Sequence, residues 1–322
     1  MRACVRRRSG AASILRSVSV MRSLMVCAAL LSIAAASSPV QKIRACEHVV
    51  ATTAEGAAAV GPFFVEDAEP GDLIVVSIHK LEPHGRTGTS PSFMAANAFD
   101  AGGLSNRPTA PVVWTIDKAK DVVSLDLRKA IPIVDWNTRY RPPVYVLPLK
   151  PALGFIGTAP AGKEATAFAG DKVLLPVHER GALLSFGRGL ARRGDGNVTG
   201  AGIETTLDVE FSVEVVKRKK WPHSSVARAS TIAGEFELEW PRVETSEYLM
   251  AIGSAGSLQQ ALQHATTELH HWLDDDFGFS ERSLSIFLGP AIEYEVANVA
   301  GPSFTVVAKV RKSYLPRIAT AQ

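Results

Sequence analysis

Residues Pro176 to Thr205 read PVHERGALLSFGRGLARRGDGNVTGAGIET. The stretch holds seven glycines, an Asp195 framed by Gly194 and Gly196, and Glu204 at the start of a long alternating run. Glycine permits backbone angles that a Cβ forbids and lets another group approach closely. A carboxylate on such a turn is held outward by the backbone. From Ile203 to Val215 apolar residues fall on every second position: Ile203, Thr205, Leu207, Val209, Phe211, Val213 and Val215. The other face carries Glu204, Thr206, Asp208, Glu210, Ser212 and Glu214. Period two over this length predicts one half-buried strand. The unit therefore reads as strand, glycine-rich crossover, strand, with acidic residues at the junction.

This stretch resembles the acetamidase/formamidase family of amide hydrolases. The matching positions are Pro176-Val177, Gly181-Ala182-Leu183, Gly187, Ala191, Gly194-Asp195-Gly196, Gly200 and Ile203-Glu204. Two further blocks support the resemblance: Gly61 to Val76 (GPFFVEDAEPGDLIVV) and Leu147 to Ala161 (LPLKPALGFIGTAPA). Three ordered blocks make a multi-part motif. The chain also departs from the pattern. Leu190 stands where the family has histidine, Arg188 where it has aspartate, Arg193 where it has glutamine, and Asn197 where it has glutamate. The family's Gly-Gly-Asn-x-Asp segment is replaced by GKEATAFAGD, and its opening β section is shortened.

Working outward, the first 46 residues hold eight basic residues and no acid. The remainder has 27 Lys+Arg against 32 Asp+Glu, a net −5 where the whole chain is +3. The basic balance thus belongs to the start of the chain and implies no nucleic-acid surface. Leu24 to Ala36 is apolar, uncharged and too short to span a bilayer as a helix. With basic residues before it and small residues before Ser37, residues 1–36 read as a signal peptide and the protein as exported, periplasmic or extracellular. The Arg- and Ser-rich, acid-free composition leaves an organelle transit peptide as the alternative. No other transmembrane candidate is present. The cysteines are Cys4, Cys27 and Cys46, so the body holds one thiol and no internal disulfide.

Residues 37–60 read as an extended lead-in, with Glu47 and His48 solvated. Phe63 to Val65 and Leu73 to Leu81 read as strands about the turn Glu69-Pro70-Gly71-Asp72, where Asp72 serves the turn. His84 to Asn106 is a small, polar, glycine-rich excursion from which His84 and Arg86 could reach a pocket. Val112 to Ile116 and Val122 to Leu127 form a hairpin, and the proline-punctuated run Tyr140 to Pro151 reads as edge structure. Lys217 to Lys220 reads as a solvated hairpin end, and Phe236 to Trp240 as a strand. Ser257 to Leu273 is a helix capped by Ser257 with Gln260 three residues on. On it His264, Glu268 and His271 have a spacing that suits a metal and equally an ordinary polar surface. A second helix spans Ser280 to Leu288, and two strands, Ala291 to Val296 and Ser303 to Val310, close the chain.

These elements predict a β-dominated α+β protein: an antiparallel β-sandwich or barrel over residues 61–240 and a smaller helix-plus-sheet section over 241–322. The resemblance implies hydrolysis of the carbon–nitrogen bond of a small linear amide. No paired Ser–His or Cys–His motif is evident, so a metal-generated hydroxide is the natural nucleophile, with zinc the first candidate. On this reading Asp195 and Glu204 are catalytic, Asp195, Glu204 and His178 hold the metal, and Gly194 and Gly196 line the substrate. Each has a plainer reading: Asp195 bracing its turn, Glu204 facing solvent, His178 on the surface. The replaced positions support an alternative, a catalytically degenerate binding relative on the same scaffold. Either form is compatible with a homo-oligomer.

Overall fold

The computed structural model describes residues 40–54, 56, 58–98, 100, 110–130, 143–217 and 239–316. The proposed leader and the basic residues 218–220 lie outside the described residues; of the strand proposed at Phe236 to Trp240, residues 236–238 also lie outside them and 239–240 are not strand. The elements in chain order are β1 (Gln41–Ile43), β2 (His48–Thr52), β3 (Ala59–Val65), β4 (Leu73–Pro83), β5 (Thr87–Ser90), β6 (Val112–Asp117), β7 (Val122–Asp126), β8 (Val144–Pro148) and β9 (Ala152–Gly157). There follow β10 (Ala165–Phe168), β11 (Lys172–Pro176), β12 (Leu184–Arg192), β13 (Ile203–Glu204), β14 (Leu207–Val216), β15 (Arg242–Glu244) and β16 (Tyr248–Ala255). Two helices, α1 (Leu258–Phe277) and α2 (Glu281–Ala291), precede β17 (Glu293–Asn298) and β18 (Phe304–Arg311).

The strands build two sheets. The first runs β1-β3-β12-β13-β5-β6-β7-β8, with β9 on β12 and β10 on β9. The second runs β17-β18-β16-β15-β11-β4-β14-β2. The expected β-dominated α+β class is what the chain adopts. Pairing is antiparallel except between β1 and β3, which run parallel from Gln41 opposite Phe63 to Ile43 opposite Val65. The lead-in is therefore extended, as read, but paired: β1 joins the first sheet and β2 closes the second against β14. His48 is held by this pairing, with its Nε2 3.4 Å from Glu210 and its ring stacked on His79.

The alternating run divides between the sheets. Ile203 and Glu204 pair in the first sheet, and Leu207 to Val216 pair in the second, with Thr205 and Thr206 carrying the chain across. Leu207, Val209, Phe211 and Val213 are fully buried as the alternation predicts. Phe211 meets Phe63 and Phe186 of the facing sheet at ring-centroid distances of 5.5 and 5.4 Å, so three aromatic rings pin the two layers together. The glycine-rich stretch is only partly a crossover: Leu184 to Arg192 is a strand near the centre of the first sheet.

Strands β15 to β18, from the section after Trp240, continue the second sheet. Its outer face takes the helices: Leu249, Ala251, Ala308 and Val310 pack against Ala265, Leu269, Trp272, Leu273, Leu284 and Leu288. Ser257 caps α1 by accepting from the Gln260 amide at 3.2 Å. The helix runs a turn beyond Leu273 and stops at Gly278 (φ 66°), whose N–H bonds the Asp274 carbonyl. The metal-spaced face on α1 is neither a metal site nor a solvated surface. Glu268 is buried and accepts from Arg242 Nε at 2.6 Å, and His264 packs edge-on to Trp240. Arg242 enters from β15 and needs a counter-charge once out of water, which draws Glu268 inward.

The remaining turns follow the sequence. Asp72 accepts from the Glu69 amide at 3.0 Å, closing the Pro70-Gly71 turn, and from Lys217 at 2.8 Å. The hairpin β6–β7 is present, and β8 is the edge strand beyond it. Within the polar excursion, Thr87 to Ser90 is a strand that bridges β13 and β6. His84 is exposed and pairs with Asp208 at 3.2 Å.

Candidate functional site

The β12–β13 connection carries most of the candidate residues. After Arg192 the chain leaves the first sheet, turns through Asp195–Asn197 and returns at Ile203. Gly196 sits at φ 72°, a left-handed angle that favours glycine, so its place in the turn is a backbone requirement. Gly194 has ordinary extended angles, and a Cβ there would meet nothing within 4 Å. Between these two glycines Asp195 is exposed, as the sequence predicts.

The turn is held from the far end of the chain. Val299 N–H donates to the Gly196 carbonyl at 2.8 Å, and Asn197 Nδ2 donates to Asn298 Oδ1 at 3.4 Å. Arg193 reaches across to the Ala297 carbonyl and to Thr166 Oγ1. Arg188 Nη1 donates to the Gly200 carbonyl at 3.2 Å. Burial pulls the Arg193 guanidinium below its ordinary pKa, while Glu295 and Asp195 act in the opposite sense. The sequence marked Arg188 and Arg193 as departures from the family pattern. Arg188 braces the crossover from within, whereas Arg193 ties it to Ala297 on β17, a partner about a hundred residues downstream that no local pattern names.

Glu204 lies on β13, half-buried, opposite Leu190 on one side and Thr89 on the other. Leu190 is 4% exposed, so the position that the resemblance gives to histidine holds a core side chain. His178 follows β11 and is half-buried. The residue before it bonds through its carbonyl to Gly71 N–H, beside the Pro70-Gly71 turn. Asp195 and Glu204 thus share the crossover, whereas His178 is anchored to a turn between strands β3 and β4. Among the described residues no three His, Cys, Asp or Glu side chains converge as a bound metal requires. The proposed donor set therefore does not fit a metal as it stands. A surface concavity of about 580 Å³ lies elsewhere, lined by Ser283, Ile286, Phe287, Pro290, Ala291 and Tyr314. None of these residues belongs to the crossover, and they offer no acid–base pair, so the chemistry is sought at Asp195.

The two-sheet layout with its helical third layer defines a class for the chain: it has a divergent acetamidase/formamidase-family fold. An acetamidase from Yersinia enterocolitica superposes with a TM-score of 0.65 at 24% identity, over 87% of this chain and 88% of that one. A predicted acetamidase/formamidase from the thermophile Thermoanaerobacter tengcongensis gives 0.65 at 22% identity, over 86% and 91%. An acetamidase from Bacillus halodurans gives 0.64 at 23% identity, over 87% and 94%. No protein-family model matches the sequence, and no curated protein matches it.

Proposed function

We propose that the protein is an amidase-type hydrolase that cleaves the carbon–nitrogen bond of a small linear amide at the β12–β13 crossover. One observation carries the reading: a fold shared with acetamidases over some 87% of the chain presents Asp195 outward on a rigid glycine-framed turn. Asp195 is the group placed to take a proton from an attacking water. The water oxygen bonds to the amide carbonyl carbon, the carbon–nitrogen bond breaks, and the proton held by Asp195 passes to the departing nitrogen, leaving a carboxylic acid and ammonia. General-base help of this kind supplies roughly 10²- to 10⁴-fold. Glu204 is the second carboxylate of the crossover. No step is routed through a metal, because the donor residues do not converge. The expected turnover is correspondingly slow.

The test is ammonia release from formamide, acetamide and larger amides by the purified full chain, with and without added divalent metal. Release from none of them overturns the reading. A second reading, a non-catalytic binding relative, is favoured by Leu190, buried where the family pattern has histidine, and by Arg193, tied to Ala297 and Thr166 where it has glutamine. The acid-free basic start and the apolar run Leu24 to Ala36 support export in either case. N-terminal sequencing of natively expressed protein checks this, and an intact Met1 or Met21 start would sink it.

A further inference from the structure

Arg188 lies on β12 and Arg193 just beyond it, both partly buried, and both meet the β9–β10 pair: Arg188 packs over Gly154, whose carbonyl accepts from the Thr166 hydroxyl that Arg193 also reaches. Their acceptors are neutral: the Gly200 carbonyl for Arg188, and Thr166 Oγ1 and the Ala297 carbonyl for Arg193. Among the described residues neither guanidinium has a carboxylate within ion-pair distance. Asp195 and Glu295 act on Arg193 from farther away, and Glu295 is already paired with Lys309 at 3.1 Å. Charged side chains are seldom taken out of water without a counter-charge. Each guanidinium has five N–H donors, and these contacts use only part of that set.

The backbone points the same way. Arg188 has φ 50° in the middle of a strand, a conformation rare for a residue with a long side chain. Strain of this sort persists where the surroundings enforce it, and it gathers at ligand sites. The neighbouring strand makes room for it: a Cβ on Gly154 would come within 2.7 Å of the Arg188 Cβ and 3.1 Å of its carbonyl oxygen. Next to Arg193, the space at Gly194 is open.

We propose that Arg188 and Arg193 receive the carboxylate of a ligand, so that the site takes a small amide that also carries a carboxylate, such as the monoamide of a dicarboxylic acid. The amide half of this inference rests on the amidase reading; the carboxylate half rests on the arginines. The planar guanidinium fork matches a carboxylate with two parallel hydrogen bonds, which a neutral acetamide cannot offer.

Calorimetric titration of the full chain with succinamate and with acetamide tests it. Succinamate is expected to bind about tenfold or more tightly, since hydrogen bonds to charged groups are the stronger kind. The preference should shrink as salt is raised and vanish in Arg188→Gln and Arg193→Gln. Arg193 also bonds Thr166 and Ala297, so its variant can fail to fold; Arg188→Gln, which gives up one bond to Gly200, then decides. Equal affinity for the two ligands, or a preference that survives in folded Arg188→Gln, overturns the proposal. Ammonia release separates it from the amidase reading. Equal kcat/KM for acetamide and succinamate defeats the arginine site and leaves the amidase. Arginine-dependent succinamate binding with no ammonia from either compound does the reverse.

Discussion

Leu190 and Glu204 stand opposite each other in the antiparallel pairing of β12 with β13. Residues paired in this way place their side chains on the same face of the sheet. A core leucine therefore adjoins a half-buried carboxylate at the place where the family resemblance puts a histidine. The pairing sets the terms for any attempt to rebuild the site.

Leu190→His buries an imidazole in a position that is 4% exposed. Exchanging a core leucine for a polar ring costs on the order of 1–3 kcal/mol, which a bond to the adjoining Glu204 offsets only in part. A lowered denaturation midpoint is expected, and, because the other donors do not converge, no stoichiometric zinc. Elemental analysis showing one tightly bound zinc per chain in the folded variant would refute the second half.

Asp195→Asn keeps the shape of the turn and removes its charge. Amide turnover should fall about a hundredfold or more, the lower range of general-base effects, while the melting temperature holds. If Asp195 only braces the turn, the pattern reverses: melting drops, and turnover follows the amount of folded protein.

Phe211→Ala removes a fully buried ring that touches Phe63 and Phe186. A loss of about 3–5 kcal/mol is expected from the lost burial and the cavity. Glu210→Ala, next in sequence but on the outer face, gives up only solvent-screened pairs with His48 and Lys80 and should change stability little. Chemical denaturation of both variants measures the difference; similar midpoints would mean that the strand's faces are misassigned.

Asp275, near the end of α1, supplies a pH prediction. Burial pushes its carboxyl from 3.8 up to about 6. Arg242 at 3.8 Å opposes the shift, and Asp276, Asp274 and Glu268 reinforce it. A carboxyl raised in the folded state contributes stability that is complete below its unfolded pKa and is lost as pH rises through about 6. Asp275→Asn keeps the uncharged form at every pH. Its stability relative to the wild type should therefore climb between about pH 4 and about pH 7. Denaturation midpoints across that range check it, and a gap that stays flat would count against the cluster.

Local chemistry made several elements legible from the sequence alone. The alternation from Leu207 to Val213 is the imprint of a strand with one buried face, because side chains must point alternately. Ser257, Gln260 and the apolar stripe after them announce α1, because a helix needs its first amides capped and one face covered. Pro70-Gly71 announces a turn, because the two residues preset its backbone angles. Gly194-Asp195-Gly196 announces an outward carboxylate, and Asp195 is exposed there.

Tertiary structure decided the rest. Alternation says which way a side chain points but not which sheet its strand joins, so the run from Ile203 to Val215 hid a passage from one sheet to the other at Thr205 and Thr206. The glycines of β12 looked like crossover residues, yet Gly187 and Gly189 sit inside a strand where Phe155 and Thr205 come close. Glu268 looked like a helix-surface ligand until Arg242, from a strand 26 residues earlier, drew it inward. Arg188 and Arg193 were visible only as substitutions; their bonds to Gly200 and Ala297 fix the crossover. In each case the deciding partner is distant in the chain, and a side chain's charge, burial and reach depend on neighbours that only the folded chain supplies.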